Sequence, residues 1–394
     1  MTTLSLSRVL PALLLLTSCG SGDDGALSVD GGSSADVVVA DTSSVTDGGT
    51  LPDSDAASGV DADAALPPGF RAFRFVNRCA TNVWVASLGN PITPTVACTS
   101  DAQCAANQGC NLASHQCTWV APGGGGWQLD AMASRTLAMP PSWAGRFWPR
   151  TGCAQFNTQG TPACATGDCA GKLACDVGVG GAPPATLAEF TLIPPTAPVG
   201  IDFYDISAVD GANIAVRIAP LAGTFAPTAP SGTNATYYCA SPGCTSGCGA
   251  LGACAWNLAT TCPQELRDIV GGAYVGCRSA NQVCAVDPTN VTLGCAADRD
   301  LYACTPGGPH AVSGSCYSPN ADAKCCGCPS WSPAGACKGH DPGWESPSRP
   351  EKYAAVFKTA CPTAYSFPYD DPTSTFTCRG TASSNVGYEI TFCP

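Results

Sequence analysis

Arg71-Ala72-Phe73-Arg74-Phe75-Val76-Asn77-Arg78-Cys79 sets Phe73, Phe75 and Cys79 among polar neighbours. Alternation with period two reads as a half-buried strand. Asn82-Val83-Trp84-Val85-Ala86 reads as the next strand. Short β-rich runs with Gly and Pro breaks continue to about residue 220. At the other end of the chain, Tyr388-Glu389-Ile390-Thr391-Phe392-Cys393 alternates again. Strand patterns at both ends predict that the two ends pair in one sheet, and the many short strands predict a β-sandwich.

Composition supports that class. The chain has 394 residues, room for a signal segment, a linker and one or two domains. Only 12% of residues are charged, while Gly, Pro and Cys number 44, 34 and 27. This excludes a helical cytosolic enzyme and fits a mainly β, loop-rich exported protein. So many cysteines are expected where disulfides persist, outside the reducing cytosol. The rival reading is zinc at Cys325-Cys326 and Cys328. It fares worse, because the cysteines are spread along the chain and only His115, His310 and His340 accompany them. No metal and no cofactor is expected. The net charge of −12 owes much to ten aspartates between residues 20 and 66, a stretch with no Lys or Arg. The remainder is near neutral and shows no basic patch, so nucleic acid is not an expected partner. A monomer is expected.

Residues 1–18 read as a signal peptide, with Arg8 in the positive region and a short apolar run from Val9 to Leu16. Leu16-Thr17-Ser18-Cys19-Gly20 resembles a bacterial lipobox, which implies cleavage before Cys19 and lipidation of that residue. The competing reading is an ordinary signal peptide with a chance cysteine. Setting Cys19 aside leaves an even number of cysteines, all able to pair. The expected address is the bacterial cell envelope, at the outer membrane or cell surface, with the membrane as partner through the lipid. Residues 19–66 then form an acidic linker with too little apolar surface to fold. Residues 67–394 form the globular domain.

Within it, about 239–360 reads as a loop-rich second lobe held by bridges. Pro263-Gln264-Glu265-Leu266-Arg267 is a candidate helix start. Pro350 to Ala360 is a better one, with Tyr353, Val356 and Phe357 at helical spacing. Cys98, Cys104, Cys110 and Cys117 recur at regular spacing and read as a small two-bridge module inserted after the second strand. Gly123 to Gly126 reads as a flexible loop.

Several stretches resemble thaumatin-like proteins. Phe75-Val76-Asn77-Arg78-Cys79 with Val83-Trp84 is similar to that family's opening. Residues 160–175, from Gly160-Thr161-Pro162 to Ala174-Cys175, are similar to its signature and depart from it at Pro162. Thr186-Leu187-Ala188-Glu189-Phe190, Asp205-Ile206-Ser207, Val209-Asp210-Gly211, Cys361-Pro362, Asp370-Asp371-Pro372 and Phe392-Cys393-Pro394 follow in order. The resemblance implies a thaumatin-like β-sandwich with a disulfide-rich second lobe. By motif order it implies the pairs Cys79–Cys393, Cys153–Cys164, Cys169–Cys175, Cys248–Cys378 and Cys254–Cys361. Cys262–Cys277, Cys284–Cys325 and Cys326–Cys337 follow by the same order.

The resemblance also implies a cleft lined by one Arg and several carboxylates: Arg146, Glu189, Asp205, Asp210 and Asp371, with Asp370 the near-equal choice for the last. Glycoside hydrolysis needs one protonated carboxyl group and a second, ionised one. Clustered carboxylates push their pKa values apart, and an Arg keeps some of them ionised. Glu189 is the expected acid, and Asp205 or Asp210 the base or nucleophile. Arg146 and Asp371 or Asp370 would bind substrate. The partner implied is a polysaccharide, a β-1,3-glucan, bound and in some family members hydrolysed. Non-catalytic binding and a structural cell-surface role are the alternatives. Asp and Arg in turns also cap amides or form structural ion pairs, and Val209-Asp210-Gly211 alone reads as a turn. Ala212 stands where many family members carry Phe, which implies a differently shaped cleft. Trp127, Trp143 and Trp148 are available for sugar stacking or for the core. The family's antifungal, membrane-permeabilising activity accompanies basic surfaces, which this chain lacks.

Overall fold

The period-two pattern at both ends of the chain builds one sheet. Its strand order is β10 (Val216–Pro220), β15 (Tyr388–Phe392), β1 (Arg71–Asn77) and β6 (Ser134–Met139). β1 and β15 run parallel, with Phe73 opposite Tyr388 and Phe75 opposite Ile390. The second sheet has the order β13 (Ala364–Tyr365), β9 (Asp202–Ser207), β8 (Leu187–Leu192), β7 (Trp143–Arg150), β2 (Val83–Gly89) and β5 (Gly126–Leu129), and β14 (Phe376–Cys378) also pairs with β9. Two small hairpins stand outside these sheets: β3 (Gln108–Asn111) with β4 (Gln116–Trp119), and β11 (Arg267–Val270) with β12 (Ala273–Cys277). These features come from a computed structural model that describes residues 66–394 except 123–124, 158–160, 198–199, 297–352 and 367–369. The expected signal segment and linker, residues 1–65 with Cys19 among them, and Cys325, Cys326, Cys337, His310 and His340 lie outside the described residues.

The alternating residues of both sheets meet in one aromatic core. Phe73 lies edge-on to Phe190 at 4.9 Å between centroids, Phe75 to Phe147 at 5.0 Å, and Phe190 to Tyr388 at 5.2 Å. Such tilted contacts add to the gain from burial. Trp127 and Trp143 belong to the same core. Trp148 packs with Cys169, Cys175 and Leu187 beneath the 163–185 loop. All three tryptophans are buried, so the structure overrules the sugar-stacking reading. Gly126, read as part of a loop, opens β5 opposite Ala86.

One ion pair is sealed inside. Arg71 Nη1 donates to Asp202 Oδ2 at 2.5 Å, and both side chains are fully buried. Tyr388 Oη donates to the same oxygen at 2.9 Å, and the Ile193 amide to the other at 2.6 Å. Burial pushes the Asp202 carboxyl up, and Arg71 opposes that shift.

The second lobe has a smaller core around Leu258, Leu266, Leu293, Tyr353 and Phe357. Its described helices are α1 (Leu258–Thr261), α2 (Ala280–Val286) and α3 (Tyr353–Ala360), while α4 (Asp371–Ser374) precedes β14. α3 buries Tyr353 and Phe357, as helical spacing predicts. No α-helix opens at Pro263. A single 3-10 turn at Gln264–Leu266 leads into β11, because Ile269-Val270 followed by Gly271-Gly272 is hairpin chemistry. Among the described residues no helix is long and apolar enough to cross a membrane.

Disulfides tie these parts together. The structure pairs Cys79–Cys393, Cys153–Cys164, Cys169–Cys175, Cys254–Cys361 and Cys262–Cys277. Cys378 joins Cys239, not Cys248. The reason is backbone pairing: Tyr238 bridges Thr377, and the Cys239 amide donates to Thr377 O. Cys248 instead closes a short loop with Cys244. Cys284 pairs with Cys295, which a turn brings back onto α2, and not with Cys325. The inserted module pairs Cys98–Cys110 and Cys104–Cys117.

Asp202→Ala leaves the Arg71 guanidinium buried without its carboxylate and costs about 3–5 kcal/mol. Removal of the exposed Arg74–Glu389 pair by Arg74→Ala changes stability by less than about 1 kcal/mol. Denaturant unfolding of the two oxidised variants measures both.

Candidate functional site

Strand register makes the site. Arg146 on β7 stands opposite Glu189 on β8, and Glu189 stands opposite Asp205 on β9. Leu88 on β2 continues the line beyond Arg146. Directly opposed residues share one face, with Cβ atoms about 4.5–5.5 Å apart. Phe147, Phe190 and Tyr204, one residue on or back, point into the aromatic core. The charged row therefore lies on the outer face of the seven-stranded sheet.

Its neighbours along the strands differ. On one side lies the row Trp148, Leu187 and Ser207, with Trp148 and Leu187 under the 163–185 loop. On the other lie Ala144, Thr191 and Phe203, all half-buried. Phe203 sits two residues before Asp205 on the same face, an aromatic surface beside the carboxylates.

Arg146 Nη1 lies 3.8 Å from Glu189 Oε1, and the two side chains are 19% and 24% exposed. The Ser207 side chain also favours the ionised Glu189 carboxyl. Asp210 occupies the turn after β9, where Gln282 Nε2 on α2 donates to its Oδ1 at 2.9 Å. The Glu189 carboxyl is held above the usual range. Burial is the main cause and the negative charge of Asp210 adds to it, while Arg146 and Ser207 oppose it. Two carboxylates thus sit in different environments, one pushed toward the neutral acid and one oriented by an amide.

Gly211 shapes the turn. Its φ is +89°, and a Cβ there would lie 2.5 Å from Cys277 O. A side chain would break the paired Ala212–Cys277 hydrogen bonds that fasten the turn to β12. Ala212 is buried in the second-lobe core.

The last predicted positions divide. Asp370 is not in the row: it is buried and accepts from Lys358 Nζ at 2.6 Å, from Ser366 and from Thr373. It is the partner of a structural ion pair. Asp371 opens α4, and its side chain lies outside the described residues. Gln282 and Phe203 are site residues that sequence reasoning missed. Phe203 was legible in Asp202-Phe203-Tyr204-Asp205, where period two puts it on the face of Asp205. Gln282, from another lobe, left no signal. Among the described residues, the one grouping with metal-ligand geometry is Cys98, Cys104 and Cys117, all in disulfides. A groove of about 580 Å³ between Pro195, Thr228 and Arg379 shares no residue with the charged row and holds no carboxylate.

The model of the Thaumatin family matches residues 115–295 and 281–394. Pathogenesis-related protein 5 of Arabidopsis thaliana is 34% identical over 322 residues, 82% of this chain and 90% of that protein. Pathogenesis-related thaumatin-like protein 3.5 of Cryptomeria japonica is 33% identical over 326 residues, 83% and 91%. A glucan endo-1,3-beta-glucosidase of Prunus avium is 34% identical over 271 residues, 68% and 79%.

The raised Glu189 carboxyl sets a sign for stability. Between the usual carboxyl range and its raised value the native state binds more protons than the unfolded chain, so this group's contribution falls as pH rises through that window. Glu189→Gln is expected to stabilise the protein at neutral pH, with the gain vanishing below the usual carboxyl range. Thermal unfolding of wild type and variant from pH 3.5 to 7.5 measures this.

Proposed function

From the premise that the chain belongs to the thaumatin family, we propose that its outer-face row binds and hydrolyses β-1,3-glucan. The observation that carries the reading is the Arg146–Glu189–Asp205 line with a raised Glu189 carboxyl. The similarity to a glucan endo-1,3-beta-glucosidase supports the substrate class.

In this reading Glu189 protonates the glycosidic oxygen. Asp210 is the second carboxylate, base or nucleophile, because its charge acts on Glu189 and Gln282 orients it. Arg146 holds Glu189 in place and hydrogen-bonds sugar hydroxyls, as does Asp205. Phe203 stacks against an adjoining sugar ring. Asp371, at the start of α4, belongs to the substrate-binding set. Cys19 carries the lipid that tethers the domain to the cell envelope, with residues 20–66 as spacer.

A second reading, binding without hydrolysis, draws on the Arg146–Glu189 ion pair, which favours the ionised carboxyl over the proton donor.

Reducing-sugar release and glucan pull-down separate the two. Glu189→Gln is expected to lower hydrolysis by about 10²-fold or more while binding persists. Phe203→Ala is expected to weaken binding by about tenfold, as loss of one aromatic platform would. Binding without hydrolysis by the wild type selects the second reading, and absence of both rejects the glucan assignment.

A further inference from the structure

The inserted hairpin is built as a rigid part. Two disulfides cross it, and Asp101 Oδ1 accepts the Cys110 amide at 2.7 Å. It is fastened at its base: the Trp119 amide donates to Asn90 O and the Ile92 amide to Cys117 O. Asn90 directly follows β2, whose Leu88 stands opposite Arg146.

The far side of the hairpin meets the loop Val177-Gly178-Val179-Gly180-Gly181. Gly109 faces Val177, with an added Cβ reaching 3.0 Å from Val177 Cγ2. The Asn111 carboxamide lies across Gly178, where a Cβ would come within 2.3 Å of Asn111 Nδ2. Gly178 has φ +87°, a conformation that favours glycine, and a Cβ there would displace the Asn111 carboxamide. Two residues on, the same loop flanks the site. A Cβ on Gly180 would lie 3.8 Å from Arg146 Nη2 and from Leu88 Cδ2. The loop is anchored at its far end by reciprocal bonds, Gly167 to Ala182 O and Ala182 to Asp168 O. Within the arc the Val179 amide donates to Asp176 O and Val179 packs on the Trp148 cluster, and the hairpin adds the contacts at Val177 and Gly178.

We infer that the four-cysteine hairpin is a positioning element for the cleft: through Asn111 it clamps the 177–181 loop beside Arg146 and so fixes the guanidinium on Glu189. This rests on the reading of Arg146 and Glu189 as the site. It gives the insertion a role in a chain whose family-model match starts only at residue 115. Arg146 acts on Glu189 directly, and Asn111 acts through the loop.

The test needs no glucan. Glu189 is faced by Arg146 from β7, Asp205 and Ser207 from β9, Asp210 from the following turn and Gln282 behind it. Of these groups, Arg146 is the one that lies beside Gly180 of the clamped loop. The Glu189 carboxyl is titrated by carbon-13 NMR in the oxidised full chain, in wild type, Asn111→Ala, Gly178→Val and the control Leu112→Ala at the exposed hairpin turn. Release of the loop lets Arg146 drift, which removes a favourable charge from the ionised carboxyl. The Glu189 midpoint is then expected to rise by roughly half a pH unit or more in Asn111→Ala and Gly178→Val, and to stay fixed in Leu112→Ala. An unchanged midpoint in folded Asn111→Ala overturns the inference, and so does an equal rise in Leu112→Ala. Asn111→Ala decides if Gly178→Val does not fold. Lack of glucan hydrolysis by the wild type bears on the proposed function and leaves this titration interpretable.

Discussion

The charged row exists only while three strands keep their register. Arg146, Glu189 and Asp205 face the same way because β7, β8 and β9 are paired residue for residue, and a slip of one would turn a carboxylate into the aromatic core. Phe147, Phe190 and Tyr204 prevent that slip from beneath. They interlock with Phe73, Phe75 and Tyr388 of the opposite sheet. The sandwich core and the charged row are therefore two faces of one constraint. The buried Arg71–Asp202 pair strengthens it, since Asp202 opens β9 three residues before Asp205.

Around this row the chain places distant segments. The 163–185 loop covers Trp148 and brings Gly180 to Arg146. The Asp210 turn is fastened to β12, and α2 brings Gln282 across 72 positions of sequence. Disulfides hold such loop-rich segments where apolar burial alone is thin, by restricting the unfolded chain. The result is a polar surface with few degrees of freedom, which is what selective pKa tuning requires.

Period two in Arg71–Cys79 and Tyr388–Cys393 was enough to predict strands, their common sheet and the sandwich. Helical spacing was enough for α3. Motif order sufficed to nominate the residues of the row, but their alignment depends on register, which no local pattern encodes. Neighbouring candidates were the weak point. Cys239, Cys244 and Cys248 lie within ten residues, and only the bridge from Tyr238 to Thr377 decides that Cys239 reaches Cys378. Asp370 and Asp371 are adjacent, and the Lys358 amine on α3 claims Asp370 for the interior. The Asn111–Gly178 contact joins an insertion to a loop with no shared pattern at all.

A crystal structure of the oxidised protein with a β-1,3-linked glucotetraose would test the central claim most directly. The account predicts sugar rings along the Arg146–Glu189–Asp205 row, one glycosidic oxygen within hydrogen-bond distance of Glu189, and one ring against Phe203. Sugar seated instead in the groove between Pro195, Thr228 and Arg379, with the charged row bare, would contradict it.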